Sequence, residues 1–445
     1  MFSAEYKRKR ITAEAAAGLV QSGSWLDYGM SVCMPYSIDK ALASRRDELE
    51  DVKIRGLLAV RPLKAVEDDP EQRAFTYMSW HLSSYERRLA ERGLCSYIPM
   101  TYRNKPEIYR KCLDVDVAFI SVTPMDDHGY FNFSLANSAT RAILETASIV
   151  VLEVNPCLPK TLGGAEECVH ITEVDHIVEG EAVEPVELLS QPASPEELTI
   201  AEYIVAQVRD GATIQLGIGA LPNAVGQALA TSDVKDLGMH TEMLVDAYLD
   251  LFKAGKLTHK YKNVDRHKGV WSFCLGSREL YAWAHENPGL ASYPVNYSNS
   301  PEIMGRNDNL ITINSCLEAD IFGQVSSEST TSRQISGTGG QLDFVAGSFI
   351  SNGGKSFLCM TSTYTDKASG QLKSRILPAI PAGEAVTAPR SQVHQVVTEW
   401  GCVNLAGRSL WERAEAVIGI AHPQFRDELI REAERMKLWR RSAKK

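Results

Sequence analysis

The chain has 445 residues, 44% of them hydrophobic and 23% charged, with a formal net charge of −9. That length predicts two domains with ordinary buried cores. No stretch reaches the ~20 apolar residues of a membrane span, and the acidic balance argues against general nucleic-acid binding, which needs a basic footprint. An anionic ligand remains compatible, because local lysines and helix N-termini hold phosphate on an acidic protein.

From the start of the chain, MFSAEYKRKR carries positive charge with no apolar segment behind it, so it does not read as a secretory signal and a cytoplasmic location is expected. The nine cysteines are scattered and never form C-x-x-C, so neither a disulfide framework nor a structural zinc site is expected. Apolar runs at 117–122 and 148–154, then at 213–218, 310–314, 356–361 and 396–399, alternate with helical patterns. Strands of that kind, buried on both faces and separated by helices, predict α/β architecture with mostly parallel sheets. The clearest helices are 198–209, 409–421 and 423–436, the last opened by Pro423. A polar, Pro- and Glu-rich stretch at 179–197 interrupts the pattern, which sets the expected domains at 1–190 and 191–445. The basic tail at 437–445 reads as a solvated helix end.

The two halves look alike. Gly23-Ser-Trp-Leu-Asp-Tyr-Gly29, Pro35 and Ala41-Leu42-Ala43 match Gly211-Ala-Thr-Ile-Gln-Leu-Gly217, Pro222 and Ala228-Leu229-Ala230. A duplicated helix–strand–turn–helix unit would give this spacing. Twenty residues beyond Pro222 stands Glu242, and twenty beyond Pro35 stands Arg55. A carboxylate in one copy opposite a cation in the other places the chemistry in the second half.

Three segments there carry chemical potential. In the first, a strand enters the turn Gly217-Ile218-Gly219-Ala220-Leu221 and leaves it as a helix opened by Pro222 and Asn223. Glycines allow close backbone approach, and the free N–H groups of a helix start attract negative charge. Pro222 occupies the place of the third glycine of a dinucleotide fingerprint, and no P-loop Lys-Ser/Thr follows, which leaves an oxyanion hole or a structural turn. The second segment, Gly238-Met-His-Thr-Glu-Met243, reads as strand-like, with His240 and Glu242 on one face. It is either a functional carboxylate or a solvent-facing pair at a strand edge. Met239 and Met243 would line an acyl pocket or simply fill the core. The third segment, Gly337-Thr-Gly339-Gly340-Gln-Leu-Asp343, is followed by Gly353-Gly-Lys355-Ser, where Lys355 could meet phosphate or carboxylate or stay solvated. Phe322-Gly-Gln-Val-Ser-Ser-Glu-Ser329 is a polar post-strand stretch similar to Asp127-His-Gly-Tyr-Phe-Asn-Phe-Ser134. No Gly-x-Ser-x-Gly or His-Glu-x-x-His signature is present.

In order along the chain, GIGALPNAVG, GMHTEM, FGQVSSES, ISGTGGQLDF, GGKS and SLWERAEAVIGIAHPQFRDEL resemble the acetyl-CoA hydrolase/transferase family of CoA-transferases. The N-terminal half joins the resemblance through DVAFISVTPMDDHGYFNFS and IVVLEVNP. WLDYG, SWHLSSYERRL, HTEMLVDAYLDLFKAGK and MKLWRRS bring it closest to the branch that exchanges coenzyme A between butyryl-CoA and acetate, with the 4-hydroxybutyrate branch next to it. The resemblance implies two similar open α/β domains and Glu242 as the catalytic carboxylate. It implies CoA and acyl binding by Gly217, Ile218, Gly219, Ala220 and Leu221, and positions near the CoA for Gly339, Gly340 and Lys355. Coenzyme A would be a substrate, with no permanently bound cofactor or metal, and a homodimer or higher homo-oligomer would suit the family. The implied reaction runs through a glutamyl-CoA thioester. Other readings are an acyl-CoA hydrolase on the same scaffold and a CoA-binding module without turnover.

Overall fold

The computed structural model describes residues 2–438 apart from 190, 332 and 368, so the basic tail from 439 onward lies outside the described residues. The chain divides into two compact units. The first comprises Met1–Leu189 together with Glu242–Leu244 and Val270–Ser298, and the second holds Ser190–Thr241, Val245–Gly269 and Asn299–Lys445. The expected second domain, 191–445, departs from this in its two excursions. Pairing is the physical reason: Met243–Leu244 runs parallel to Phe273–Cys274, Ala136 bridges Phe273, and Ser138 bridges Pro294.

The first unit is built on an eight-stranded sheet. Its order is Arg10–Ile11, His176–Glu179, Ala147–Val154, Val115–Val122, Trp25–Met30, Val52–Leu57, Phe75–Ser79 and Ser96–Tyr97. All neighbours are parallel. Leu26, Tyr28, Ile54, Tyr77, Val117 and Phe119 are buried in one cluster, as strands covered on both faces should be.

The second unit carries a six-stranded sheet in the order Gly238–Met239, Thr213–Leu216, Leu310–Ser315, Lys355–Cys359, Gln395–Thr398 and Gly401–Asn404. The first five are parallel and the last turns back antiparallel. Val345, Leu358, Val396, Val417 and Ile418 are buried in a cluster of their own. The helices fall where their caps dictate. Pro195–Val205 starts three residues before the hydrophobic pattern does, behind a capping box of Ser194 and Glu197. Leu410–Gly419 and Pro423–Arg435 follow the expected spans closely.

The duplication is visible in strand order. Val52–Leu57, Trp25–Met30, Val115–Val122, Ala147–Val154 and His176–Glu179 stand side by side in the first sheet. Gly238–Met239, Thr213–Leu216, Leu310–Ser315, Lys355–Cys359 and Gln395–Thr398 stand in the same sequence in the second. The register corrects one inference. Trp25 and Thr213, each two residues after the first glycine of its copy, pair with Lys53 and Gly238, so the counterpart of Arg55 is His240 and not Glu242. The helix and loop between the prolines and these residues are two residues shorter in the second copy.

Candidate active site

Thr213–Leu216 is fully buried and ends where the chain needs freedom. Gly217 donates its N–H to the Ile313 carbonyl at 3.0 Å, prolonging the ladder by one bond. Gly219 then adopts φ +122° and ψ 179°, a conformation open in practice only to glycine. It caps the helix Ala220–Thr231, whose start has no side-chain cap. The first-turn amides of Ala220 and Leu221 are therefore of the kind that seek an external acceptor, and Pro222 sits where a missing N–H costs nothing. Below the turn, Gln215 and Asn314 exchange side-chain amide hydrogen bonds of 3.2 and 3.1 Å across adjacent strands. That reciprocal pair fixes the base of the turn in a dry environment.

The H-T-E-M segment is not one strand. Regular pairing stops at Met239 and resumes at Met243, with a bend at Glu242 between them. His240 is fully buried and its N–H donates to the Ile214 carbonyl at 3.2 Å, whereas Glu242 is only half-buried. The expected pairing of both side chains on one strand face is therefore replaced by a buried histidine and a partly open carboxylate. Met239 and Met243 are buried. The edge strand is held from outside by two residues of its own unit. His259 accepts the Met239 N–H on Nδ1 at 3.2 Å, and Lys262 donates its ammonium to the Met239 carbonyl at 2.9 Å. Burial pushes His259 down to about 3 and Lys262 down to about 7.

In the first unit the main chain of Glu242 is clamped. Its carbonyl accepts the N–H groups of Ser272 at 2.9 Å and Phe273 at 3.2 Å. The ring of Phe273 meets Tyr102 edge-on at 6.2 Å. Tyr102 is buried, and its phenol is pushed well above the ordinary range, first by burial and then by the negative charge of Glu242. The Tyr102 hydroxyl hence stays neutral beside the carboxylate.

Gly339, at φ +54°, and Gly340 lead into the helix Gln341–Ile350. This helix connects Leu310–Ser315 to Lys355–Cys359, so its glycine-rich start belongs to the end of the sheet that the Gly217 turn also leaves. In open α/β sheets ligands collect at that carboxyl end. Glu328 ties the preceding loop together: its carbonyl accepts from Ile335 and Ser336 at 2.7 and 3.1 Å, and its carboxylate accepts from Thr338 and Thr387 at 3.1 and 2.9 Å. Lys355 sits elsewhere. It begins its strand, level with Ile311, and its ammonium lies 3.4 and 3.3 Å from the Gln207 carbonyl and side-chain oxygens. That is the end of the sheet opposite the two glycine turns.

Sequence reasoning passed over Tyr102, Ser272, Phe273 and Asn314. Their neighbours are remote in the chain, and nothing in local spacing distinguishes them from core.

Comparison with known proteins agrees with this architecture. Residues 2–187 match the acetyl-CoA hydrolase/transferase N-terminal domain, and residues 276–433 match the acetyl-CoA hydrolase/transferase C-terminal domain. The chain is 49% identical to the butyryl-CoA:acetate CoA-transferase of Anaerostipes caccae, with 100% of each chain covered. It is 48% identical to the probable butyrate:acetyl-CoA coenzyme A-transferase of Syntrophomonas wolfei, covering 99% of this chain and 98% of that one. Among solved structures, RipA from Yersinia pestis superimposes with a TM-score of 0.90 at 36% identity, covering 98% of this chain and 100% of that one. Sequence, fold and the order of the motifs together show that the chain belongs to the acetyl-CoA hydrolase/transferase family.

Proposed function

We propose that this protein exchanges coenzyme A between butyryl-CoA and acetate, with Glu242 as the nucleophile. The observation that carries the reading is the bend at Glu242. A half-buried carboxylate stands on a main chain clamped by two N–H donors, three residues beyond the edge strand Gly238–Met239 that pairs with Thr213 and Ile214. The 49% identity to the Anaerostipes caccae butyryl-CoA:acetate CoA-transferase over the whole of both chains supports the substrate pair.

The reaction begins when a Glu242 carboxylate oxygen attacks the butyryl thioester carbonyl. The C–S bond breaks, CoA leaves as thiolate, and a butyryl–glutamyl anhydride remains. The thiolate attacks the glutamyl carbonyl, butyrate departs, and the γ-glutamyl-CoA thioester forms. Acetate then attacks that thioester, giving an acetyl–glutamyl anhydride and thiolate. Attack of the thiolate on the acetyl carbonyl yields acetyl-CoA and restores the carboxylate. No net proton is consumed. A carboxylate is a weak nucleophile, so catalysis depends on splitting one hard step into several easier ones and on stabilising each oxyanion. The first-turn amides of Ala220 and Leu221 supply donors fixed before the substrate arrives, each worth roughly 3–4 kcal/mol in such roles. Gly339 and Gly340, with backbone open to close approach, are assigned to the CoA moiety, which serves as substrate. We assign the working form as a cytoplasmic homodimer; sedimentation at catalytic concentration tests the dimer.

The direct test is intact mass after mixing with butyryl-CoA in the absence of acetate. A CoA adduct mapped to Glu242 is expected, and Glu242→Gln should neither form it nor turn over once deamidation is excluded. Full turnover by that variant overturns the assignment. CoA release that needs no acetate would instead identify a hydrolase.

A further inference from the structure

Thr213–Leu216 has an unequal pair of neighbours. On one side Leu310–Ser315 runs its full length. On the other, Gly238–Met239 pairs only as far as Ile214, with one further bond from His240 to the Ile214 carbonyl. Leu216 lies beyond the reach of that short edge strand, and it is fully buried. Its N–H points to the uncovered side, since Gly217 next to it bonds toward Ile313. A buried amide without an acceptor would cost about 1–3 kcal/mol. The acceptor is the phenol oxygen of Tyr248, at 2.7 Å.

Tyr248 belongs to the helix Asp246–Lys253 and has no exposed surface. Thr241, the residue bonded to Glu242, reaches the same hydroxyl with its side chain and favours the ionised phenol, against the larger effect of burial. One oxygen atom thus touches the last residue before the glycine turn and the last residue before the nucleophile. Burial pushes the phenol above its ordinary range, so it remains a neutral hydroxyl across working pH. The helix is pressed close on the turn's own helix: a side-chain carbon at Gly226 would fall 2.6 Å from the Cβ of Ala247.

Resting on the assignment of Glu242 as nucleophile, we propose that Tyr248 is a positioning residue whose hydroxyl holds Thr241 in register with the start of the Gly217–Leu221 turn. It touches neither acyl group nor coenzyme. Its action runs through the backbone it spaces, and misplacement of about 1 Å costs such a site on the order of a hundredfold.

Tyr248→Phe removes the oxygen and keeps the ring. The expected result is a kcat lower by about 10–100-fold, with the rate of CoA-adduct formation on Glu242 falling by the same factor. KM for butyryl-CoA should stay within about threefold, with the protein folded at the assay temperature. Thr241→Val should show the same split, and the double variant should be no worse than Tyr248→Phe alone, because the two changes remove one shared contact. A kcat within about twofold of the parent protein in Tyr248→Phe, or additive losses in the double variant, overturns the proposal. Should Tyr248→Phe fail to fold, Thr241→Val decides, and a parental kcat there counts against it. Glu242→Gln separates the two levels of the argument. If it turns over fully, the nucleophile assignment falls; if it is dead while Tyr248→Phe is fully active, only the positioning role falls.

Discussion

Tyr102 and Ser138 share a hydroxyl–hydroxyl hydrogen bond of 2.6 Å in a buried site of the first unit, and the Ser138 N–H donates to the Ser272 carbonyl at 3.2 Å. Because Ser272 in turn clamps the carbonyl of Glu242, the phenol stands at the head of a short chain of contacts ending on the Glu242 main chain. Tyr102→Phe leaves the Ser138 hydroxyl without this partner, for which a loss of about 1–3 kcal/mol is expected in urea unfolding. Removing both hydroxyls, in Tyr102→Phe with Ser138→Ala, should cost less than the sum of the single changes. Strict additivity would show that the pair is not coupled.

Gly219 and Gly217 should respond differently to alanine. At Gly219 the left-handed backbone forces a rearrangement worth about 1–3 kcal/mol, and the displaced amides should lower kcat by about a hundredfold. A Cβ at Gly217 meets only ordinary contacts, the nearest at 3.5 Å. Gly217→Ala should therefore leave unfolding free energy within about 0.5 kcal/mol while raising KM for the acyl-CoA. A normal KM would mean that no ligand approaches this glycine.

Gly226→Ala drives a methyl group into Ala247, with 2.6 Å between the carbons. Over-packing at a helix crossing costs about 1–3 kcal/mol, and Tyr248 is carried on the helix that must move. Lower kcat and lower melting temperature are expected together, and Ala247→Gly in the same chain should restore both. Failure of that rescue would locate the damage elsewhere.

Acid should loosen the edge strand before the protein unfolds as a whole. His259 must stay neutral to accept the Met239 N–H, and burial holds its folded-state value near 3, below the usual 6.5. The unfolded chain therefore binds the extra proton first as pH falls, and stability drops between about 6.5 and 3. In His259→Asn the side-chain oxygen can accept the same amide without titrating. The fall in melting temperature from pH 7 to pH 5 should shrink, and an unchanged fall would exonerate this histidine.

Much of this was legible in the residues themselves. Runs such as 117–122 and 310–314 are apolar on both faces, and only a covered parallel sheet accommodates them, so the strands and the fold class followed directly, while the family followed from the resemblance of motifs such as GIGALPNAVG and ISGTGGQLDF. The resemblance of GMHTEM singled out Glu242, but the bend that sets its side chain apart from His240 was not legible, since the segment reads as strand-like. Lys355 was harder. Gly-Gly-Lys-Ser looks like a phosphate loop, but the lysine opens a strand, and direction along the sheet decides which end it occupies. Likewise, only pairing registers revealed that Arg55 matches His240. Tyr102 and Ser272 left no local signal, since what defines them is a contact between distant stretches of chain.

Glu242–Leu244 and Val270–Ser298 belong with the N-terminal unit although each is embedded in C-terminal sequence. During synthesis that unit must wait, incomplete, until residue 298 has emerged from the ribosome, by which time nearly a third of the chain is still to come. Cutting the gene at residue 190 would leave the early fragment lacking part of its interior and the late one with two orphaned pieces. Reassembly from separately produced halves should succeed only when both are present as they refold.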